Sequence, residues 1–144
     1  MYHLFDFDRL MYILTKTSHM NKEDLQRRTL LFSIRIINMV GTMPETKSAR
    51  LIAAYLLRAS TSMGAKYRGA CRPASARDFI NKLKSVEEET DETLFWLELI
   101  EESNIFQPEK ISELKKEANE LLAIFVSSII TAKKNLKLKT KTAA

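Results

Sequence analysis

Apolar residues along this chain recur at alternating steps of four and three over four separate stretches, the spacing that gathers side chains on one side of an α-helix. The first stretch carries Leu25, Thr29, Phe32, Ile36 and Met39, with Asn21 placed to cap it and Asp24 three residues on. It predicts a helix from about Lys22 to Thr42, broken by Gly41 and Pro44. The second carries Ile52, Tyr55, Ala59 and Ser62 on its stripe, with Leu51, Leu56 and Met63 alongside, and reaches about Tyr67 or Ala70. Phe79, Leu83, Val86, Thr90, Thr93, Leu97 and Ile100 keep the alternation over three heptads and predict a third helix from about Ala76 to Ser103. Pro108 then stands where a first helical residue tolerates proline, and Ile111, Leu114, Ala118, Leu121, Phe125 and Ser128 carry a fourth helix that fades near Lys134.

Between the second and third helices lies TSMGAKYRGACRPASARDF, residues 61–79, which concentrates glycine, proline, cations and the single cysteine. Gly69 is placed to end a helix, Pro73 forbids its continuation, and Ser75 to Asp78 has the form of a capped start. The stretch therefore reads as a corner. Four long helices with short connections run antiparallel to their neighbours, so the fold class is all-α, an antiparallel up-down-up-down four-helix bundle. The bundle occupies 21–134, preceded by an N-terminal extension over 1–20 with the apolar content of a short helix and followed by a flexible Lys-rich tail over 135–144. Because all four stripes are complete downstream of it, Met1 to His19 is expected to be dispensable for the bundle, and Met20 offers a second start. Leu30, Ile37, Val40, Ile80, Leu94, Phe95, Leu122, Val126 and Ile129 flank the seams and widen the apolar arcs beyond what one seam needs.

Composition sharpens this picture in a few places. At 144 residues, 45% hydrophobic and 28% charged, the chain suits one core-forming domain, and its three glycines and three prolines leave few turns for an all-β fold. The net charge of +5 is a property of the tail, since the last twelve residues hold five lysines and no acid. One cysteine, Cys71, excludes an intrachain disulfide and suits a reducing cytoplasm. No apolar run is long enough for a membrane span, and Asp6, Asp8 and Arg9 interrupt what would be the apolar part of a signal peptide.

Catalytic chemistry finds little support. Di-iron bundles need Glu-x-x-His pairs on facing helices, but both histidines, His3 and His19, fall in the extension. Glu89 and Glu92 share a helix face and read as a structural ion-pair stripe rather than a site for a hard cation. Cys71 has no histidine near it, and Gly64 and Gly69 do not form a phosphate loop. We therefore expect no enzyme, catalytic residue, cofactor, metal, small-molecule substrate or membrane contact. Antiparallel packing about a corner near residue 73 brings Arg58 beside Glu88 and Glu89, predicting an ion pair of Arg58 with Glu89 or Glu92. Tyr55, Phe95 and Trp96 border the seams and are the candidate oligomer interface. Arg68, Arg72 and Arg77 at the corner, with Lys133, Lys134, Lys137, Lys139 and Lys141 in the tail, are the candidate nucleic-acid contacts.

LLRASTSMGAKYRGA, RPASARDFINKL, EEETDETLFWLEL and EANELLAIFVSSI, taken together over about Asn21 to Lys137, resemble the four helix bundle protein family, also termed the 23S rRNA-intervening-sequence protein family. Arg58, Ser62, Tyr67, Arg68, Ser75, Phe79, Glu89, Glu92 and Trp96 match its pattern, while Lys66 stands where Asn is usual and Gly69 where Glu is usual. The resemblance implies a bacterial four-helix bundle, encoded in many cases within intervening sequences of 23S rRNA genes, that can assemble into a homopentamer. No biochemical activity is established for the family. The expected role is accordingly a non-enzymatic scaffold acting through self-association, with weak rRNA binding through the tail and corner as the alternative.

Overall fold

A computed structural model describes residues 20–143, and the N-terminal extension up to His19 lies outside them. Four helices follow in order: α1 (Lys22–Val40), α2 (Lys47–Ala70), α3 (Ala76–Glu102) and α4 (Pro108–Thr142). Each begins where local chemistry can satisfy free amides. Asn21 and Asp24 form a reciprocal capping box, with the Asp24 amide donating to Asn21 Oδ1 at 2.8 Å and the Asn21 amide to Asp24 Oδ2 at 3.3 Å. Helices α2 and α3 have one-way caps, Thr46 Oγ1 accepting from the Ala49 amide at 3.2 Å and Ser75 Oγ from the Asp78 amide at 3.0 Å. Pro108 opens α4 with no side-chain cap, its missing N–H removing one of the free amides of the first turn. The α3–α4 turn is closed by Asn104 at φ 53°, a left-handed conformation that asparagine tolerates better than most residues.

The helices pack in a closed cycle, α1 on α2, α2 on α3, α3 on α4 and α4 on α1, an all-α four-helix bundle. All five predicted stripe residues of α1 are buried. So are those of α3 apart from half-buried Phe79, and those of α4 apart from half-buried Ser128. The core stripe of α2 is different. It consists of Ala49, Ala53, Leu56, Ser60, Met63, Tyr67 and Ala70, with Ala59 beside it, while Ile52 and Ser62 are half-buried and Tyr55 and Leu51 are exposed. The expected seam was rotated by about one position because large residues drew it. Small residues hold the inner face instead, letting α2 approach its neighbours closely. A Cβ at Gly64 would lie 3.6 Å from both Thr29 and Ser33 of α1, and Ser33 Oγ donates to the Ser60 carbonyl at 3.3 Å. Other buried hydroxyls return to their own helix, as Thr90 does to the Val86 carbonyl and Thr93 to that of Glu89.

Two boundaries depart from expectation, and a third, the end of α2 at Ala70, falls where expected but is set by a different residue. Helix α1 ends at Val40, two residues early, with Gly41 as its right-handed C-cap. Helix α2 runs straight through Gly69 and is capped by Cys71, so Pro73 rather than Gly69 ends it. Helix α4 continues to Thr142, and half-buried Ala132 and Leu136 extend its inner stripe past Ile129 at steps of three and four. The last residues expected as a flexible tail are thus helical through Thr142. Apolar surface also remains on the outside of the bundle: Leu30, Leu31, Ile34 and Ile37 of α1 are 40–51% exposed.

Gly69 offers a direct test of its placement. Its φ is not positive and an added Cβ would meet nothing within 4 Å. Gly69→Ala is therefore expected to stabilise the protein by about 0.5–1 kcal/mol, the usual helix-interior difference. A fall in the urea midpoint instead would mean that this residue ends α2.

Candidate functional site

The α2–α3 seam opens at its outer edge onto a strip where charged and aromatic residues alternate. Arg58 of α2 reaches α3, where Nη2 donates to Glu92 Oε1 at 2.6 Å and Nη1 lies 3.6 Å from Glu89 Oε2. Its firmer partner is thus one turn beyond the level set by the corner. Cα–Cβ bonds tilt toward the N-terminus in both helices, so long side chains meet at higher numbers than the backbones do. The Arg58 guanidinium, and after it the Trp96 indole, hold the Glu92 carboxyl below the usual carboxylate range against the opposing effect of desolvation. Trp96 Nε1 donates to Glu92 Oε1 at 3.2 Å, so one carboxylate oxygen binds both cation and indole.

Glu89 sits deeper, its side chain only 10% exposed between the core positions Val86 and Thr93. Lys66 Nζ donates to its Oε1 at 2.8 Å. Glu89 Oε2 is buried with no hydrogen-bond partner, alone in this among side-chain atoms of the described residues. Glu89 and Glu92 therefore each face a cation of α2. Among the described residues, no group of three or more His, Cys, Asp or Glu could hold a metal ion.

Next along the strip, Trp96 stacks on Tyr55 with ring centroids 5.0 Å apart and planes 11° apart, and Phe95 meets it edge-on at 4.9 Å and 73°. Tyr55 and Phe95 remain 43% and 54% exposed. Aromatic clusters of this kind cost solvation when left in water, and Leu51, 55% exposed on the same side of α2, enlarges the apolar area.

The basic candidates form a separate group. Arg68, Arg72 and Arg77 are exposed at the α2–α3 corner. Because α4 runs antiparallel to α3, its C-terminal turns leave the bundle at that same end, below the contact of Phe125 with Tyr67 at 5.4 Å. All five lysines are exposed, and Lys133, Lys137 and Lys141 recur every four residues along one helix face with Lys134 beside them; Lys139 points elsewhere.

The model of a family described as 23S rRNA-intervening sequence protein matches residues 21–127, most of the chain. The chain belongs to that family. A crystal structure of a protein with unknown function from the S23 ribosomal protein family of Bacteroides thetaiotaomicron is 30% identical, covering 73% of this chain and 97% of that one with a TM-score of 0.68. No curated protein matches. The family match takes in the Arg58–Glu92 strip and the corner but stops at residue 127, before the lysine face of α4.

Sequence reasoning missed three features of this intervening-sequence protein. Lys66 was noted only as a departure, yet it is the hydrogen-bond donor to Glu89. Arg28 of α1 is forked between Glu117 and Glu120 of α4, and Lys115 of α4 reaches Glu101 of α3 at 2.6 Å. The spacing of Glu117 and Glu120 was a signal for the fork, but its partner depends on a register between α1 and α4 that no short corner sets.

Proposed function

We propose that this member of the 23S rRNA-intervening-sequence family acts through self-association, as a non-enzymatic cytoplasmic scaffold whose assembly is a homopentamer. The observation that carries this reading is the aromatic cluster in which Tyr55 and Phe95, 43% and 54% exposed, flank half-buried Trp96 and leave an ordered aromatic surface open to water. Interfaces favour such residues at their centres, and a ring of copies related by rotation would bury the patch against a different face of the next copy. Light scattering coupled to size exclusion tests it. A mass near five times 16.6 kDa is expected, falling to 16.6 kDa with helicity retained in a Tyr55→Glu/Phe95→Glu variant. A wild-type mass of 16.6 kDa at every concentration would sink the reading.

A second reading, RNA binding, draws on the basic groups that share one end of the bundle. Lysines at helical spacing can neutralise phosphates along a strand, but without aromatic residues among them they offer no stacking platform and no base readout. Affinity for a single-stranded RNA should then be indifferent to sequence and salt-sensitive, with log–log slope near 0.7 per phosphate neutralised. Lys133→Ala/Lys137→Ala/Lys141→Ala should reduce that slope by about 2. Tight binding that survives both high salt and this variant would remove the lysine face from consideration.

A further inference from the structure

Helices α1 and α3 carry charge of opposite sign on surfaces that never meet within one molecule. From Leu25 to Val40, α1 holds Arg27, Arg28 and Arg35 and no acid, whereas α3 from Ser85 to Glu102 holds eight acids and no cation. Part of this charge is matched inside the bundle: Arg28 by Glu117 and Glu120, Glu89 and Glu92 by α2, and Glu101 by Lys115. The remainder is left over. Arg27 is exposed and forms no ion pair among the described residues, and Arg35 comes only to 3.9 Å of Glu113, a side chain itself 83% exposed. Glu88, Asp91, Glu98 and Glu102 of α3 are exposed and likewise unpaired among the described residues. Each unmatched set frames apolar surface. On α1, Leu30, Ile34 and Ile37 form an exposed line at steps of four and three, with Leu31 beside it. On α3, Asp91 and Glu98 stand on either side of exposed Phe95, which meets Trp96 and through it Tyr55. Because α1 packs on α2 and α4 but not on α3, the two surfaces lie at opposite corners of the bundle.

We propose, building on the self-association reading, that the exposed line of α1 receives the aromatic strip of a second copy, so that each junction pairs α1 of one protomer with the α2–α3 seam of its neighbour. Two features select this occupant. The first is charge complementarity: Arg27 and Arg35 lie about 12 Å apart along α1, and Asp91 and Glu98 about 10.5 Å apart along α3, so both arginines can meet acids while Leu30, Leu31 and Ile34 cover the rings. Arg58, the cation within the strip, is already held by Glu92 and Glu89. The second is that the match runs one way. Two α1 faces would oppose arginine to arginine, and two α3 faces acid to acid, so neither surface suits itself. Each copy then offers one surface of each kind, which makes the junction heterologous, and repetition by rotation closes a ring.

Mixing two broken variants tests the pairing by light scattering coupled to size exclusion. Leu30→Glu/Ile34→Glu removes the α1 face and Tyr55→Glu/Phe95→Glu removes the strip, all at exposed positions, and each alone should give 16.6 kDa with helicity retained. An equimolar mixture keeps one intact junction and should give twice 16.6 kDa, a heterodimer that cannot grow further. Charge reads the same contact without touching its apolar residues: Arg27→Glu/Arg35→Glu should raise the concentration of half-assembly about tenfold or more, and adding Asp91→Arg/Glu98→Arg to that chain should restore it. A full-sized oligomer from Leu30→Glu/Ile34→Glu would overturn the inference and leave self-association standing, with the α1 line covered by another part of the chain or by a different protein. A mixture that stays at 16.6 kDa would overturn it too, since the surfaces would not be complements. A wild-type mass of 16.6 kDa at every concentration would remove both readings together.

Discussion

Phe125→Ala should cost about 3–5 kcal/mol of stability, whereas Phe95→Ala, the same chemical change thirty residues earlier, should cost less than about 1 kcal/mol in the dissociated protein. Phe125 has no solvent exposure and packs against Tyr67 across the α2–α4 interior at 5.4 Å. Truncation would lose the transfer free energy of a ring, an aromatic pair worth about 0.5–1.5 kcal/mol, and the contacts lining a cavity that four mutually packed helices cannot close. Against a typical total of about 5–15 kcal/mol this is a large share. Phe95 is 54% exposed, and its removal leaves no cavity. Urea denaturation at several protein concentrations reads both, with a lowered midpoint and unchanged slope for Phe125→Ala. If the aromatic face mediates assembly, the cost of Phe95→Ala will grow with protein concentration, because association stabilises the folded state by mass action. Equal and concentration-independent losses at the two positions would mean that inside and outside have been exchanged.

That contrast also marks how far periodicity could be trusted. On α1, α3 and α4 the stripe read from spacing is, apart from half-buried Phe79 and Ser128, the stripe that is buried; on α1 and α4 the largest apolar residues, Phe32 and Phe125, are also the inward ones, and on α3 the long four-three alternation keeps the reading inward although Phe95 points out. On α2 the two criteria separate. Leu56 and Met63 are fully buried, but the other inward positions are mainly alanine and serine, and the bulkier Leu51 and Tyr55 point out. A pattern weighted by size follows the bulk and lands on the wrong edge. The end of α4 was misplaced for a related reason: lysines dominate its last turns to the eye, yet Ala132 and Leu136 alone keep the helix attached to the core.

The charged strip was legible in part. Antiparallel pairing about a proline corner is enough to bring Arg58 toward Glu89 and Glu92, since one short connection sets that register. The division of labour between the two carboxylates was not legible, because it depends on depth. Glu92 lies at the rim and can serve both Arg58 and Trp96, whereas Glu89 is enclosed by core residues and met by a lysine two turns further along α2. Nothing in the order of residues says which of two glutamates three apart lies deeper until the facing helix is rotated into place.

Depth has a measurable consequence at Lys66. Lys66→Met should destabilise the protein by about 1–3 kcal/mol, because Glu89 Oε1 would lose its donor while Oε2 already has none. The lower part of that range applies if water reaches the gap, as the 42% exposure of the Lys66 side chain allows. Glu89→Leu alone should cost less, since Lys66 and Arg58 both reach solvent and can be hydrated there. The double variant Lys66→Met/Glu89→Leu should then be more stable than Lys66→Met, because removing the carboxylate also removes the unsatisfied oxygens. A urea double-mutant cycle measures the coupling directly. Additive losses would mean that Glu89 is hydrated and that its burial imposes no demand on Lys66; recovery in the double variant would make the lysine a counter-charge required by a buried acid, and the pair a local feature of this bundle rather than a general support of its fold.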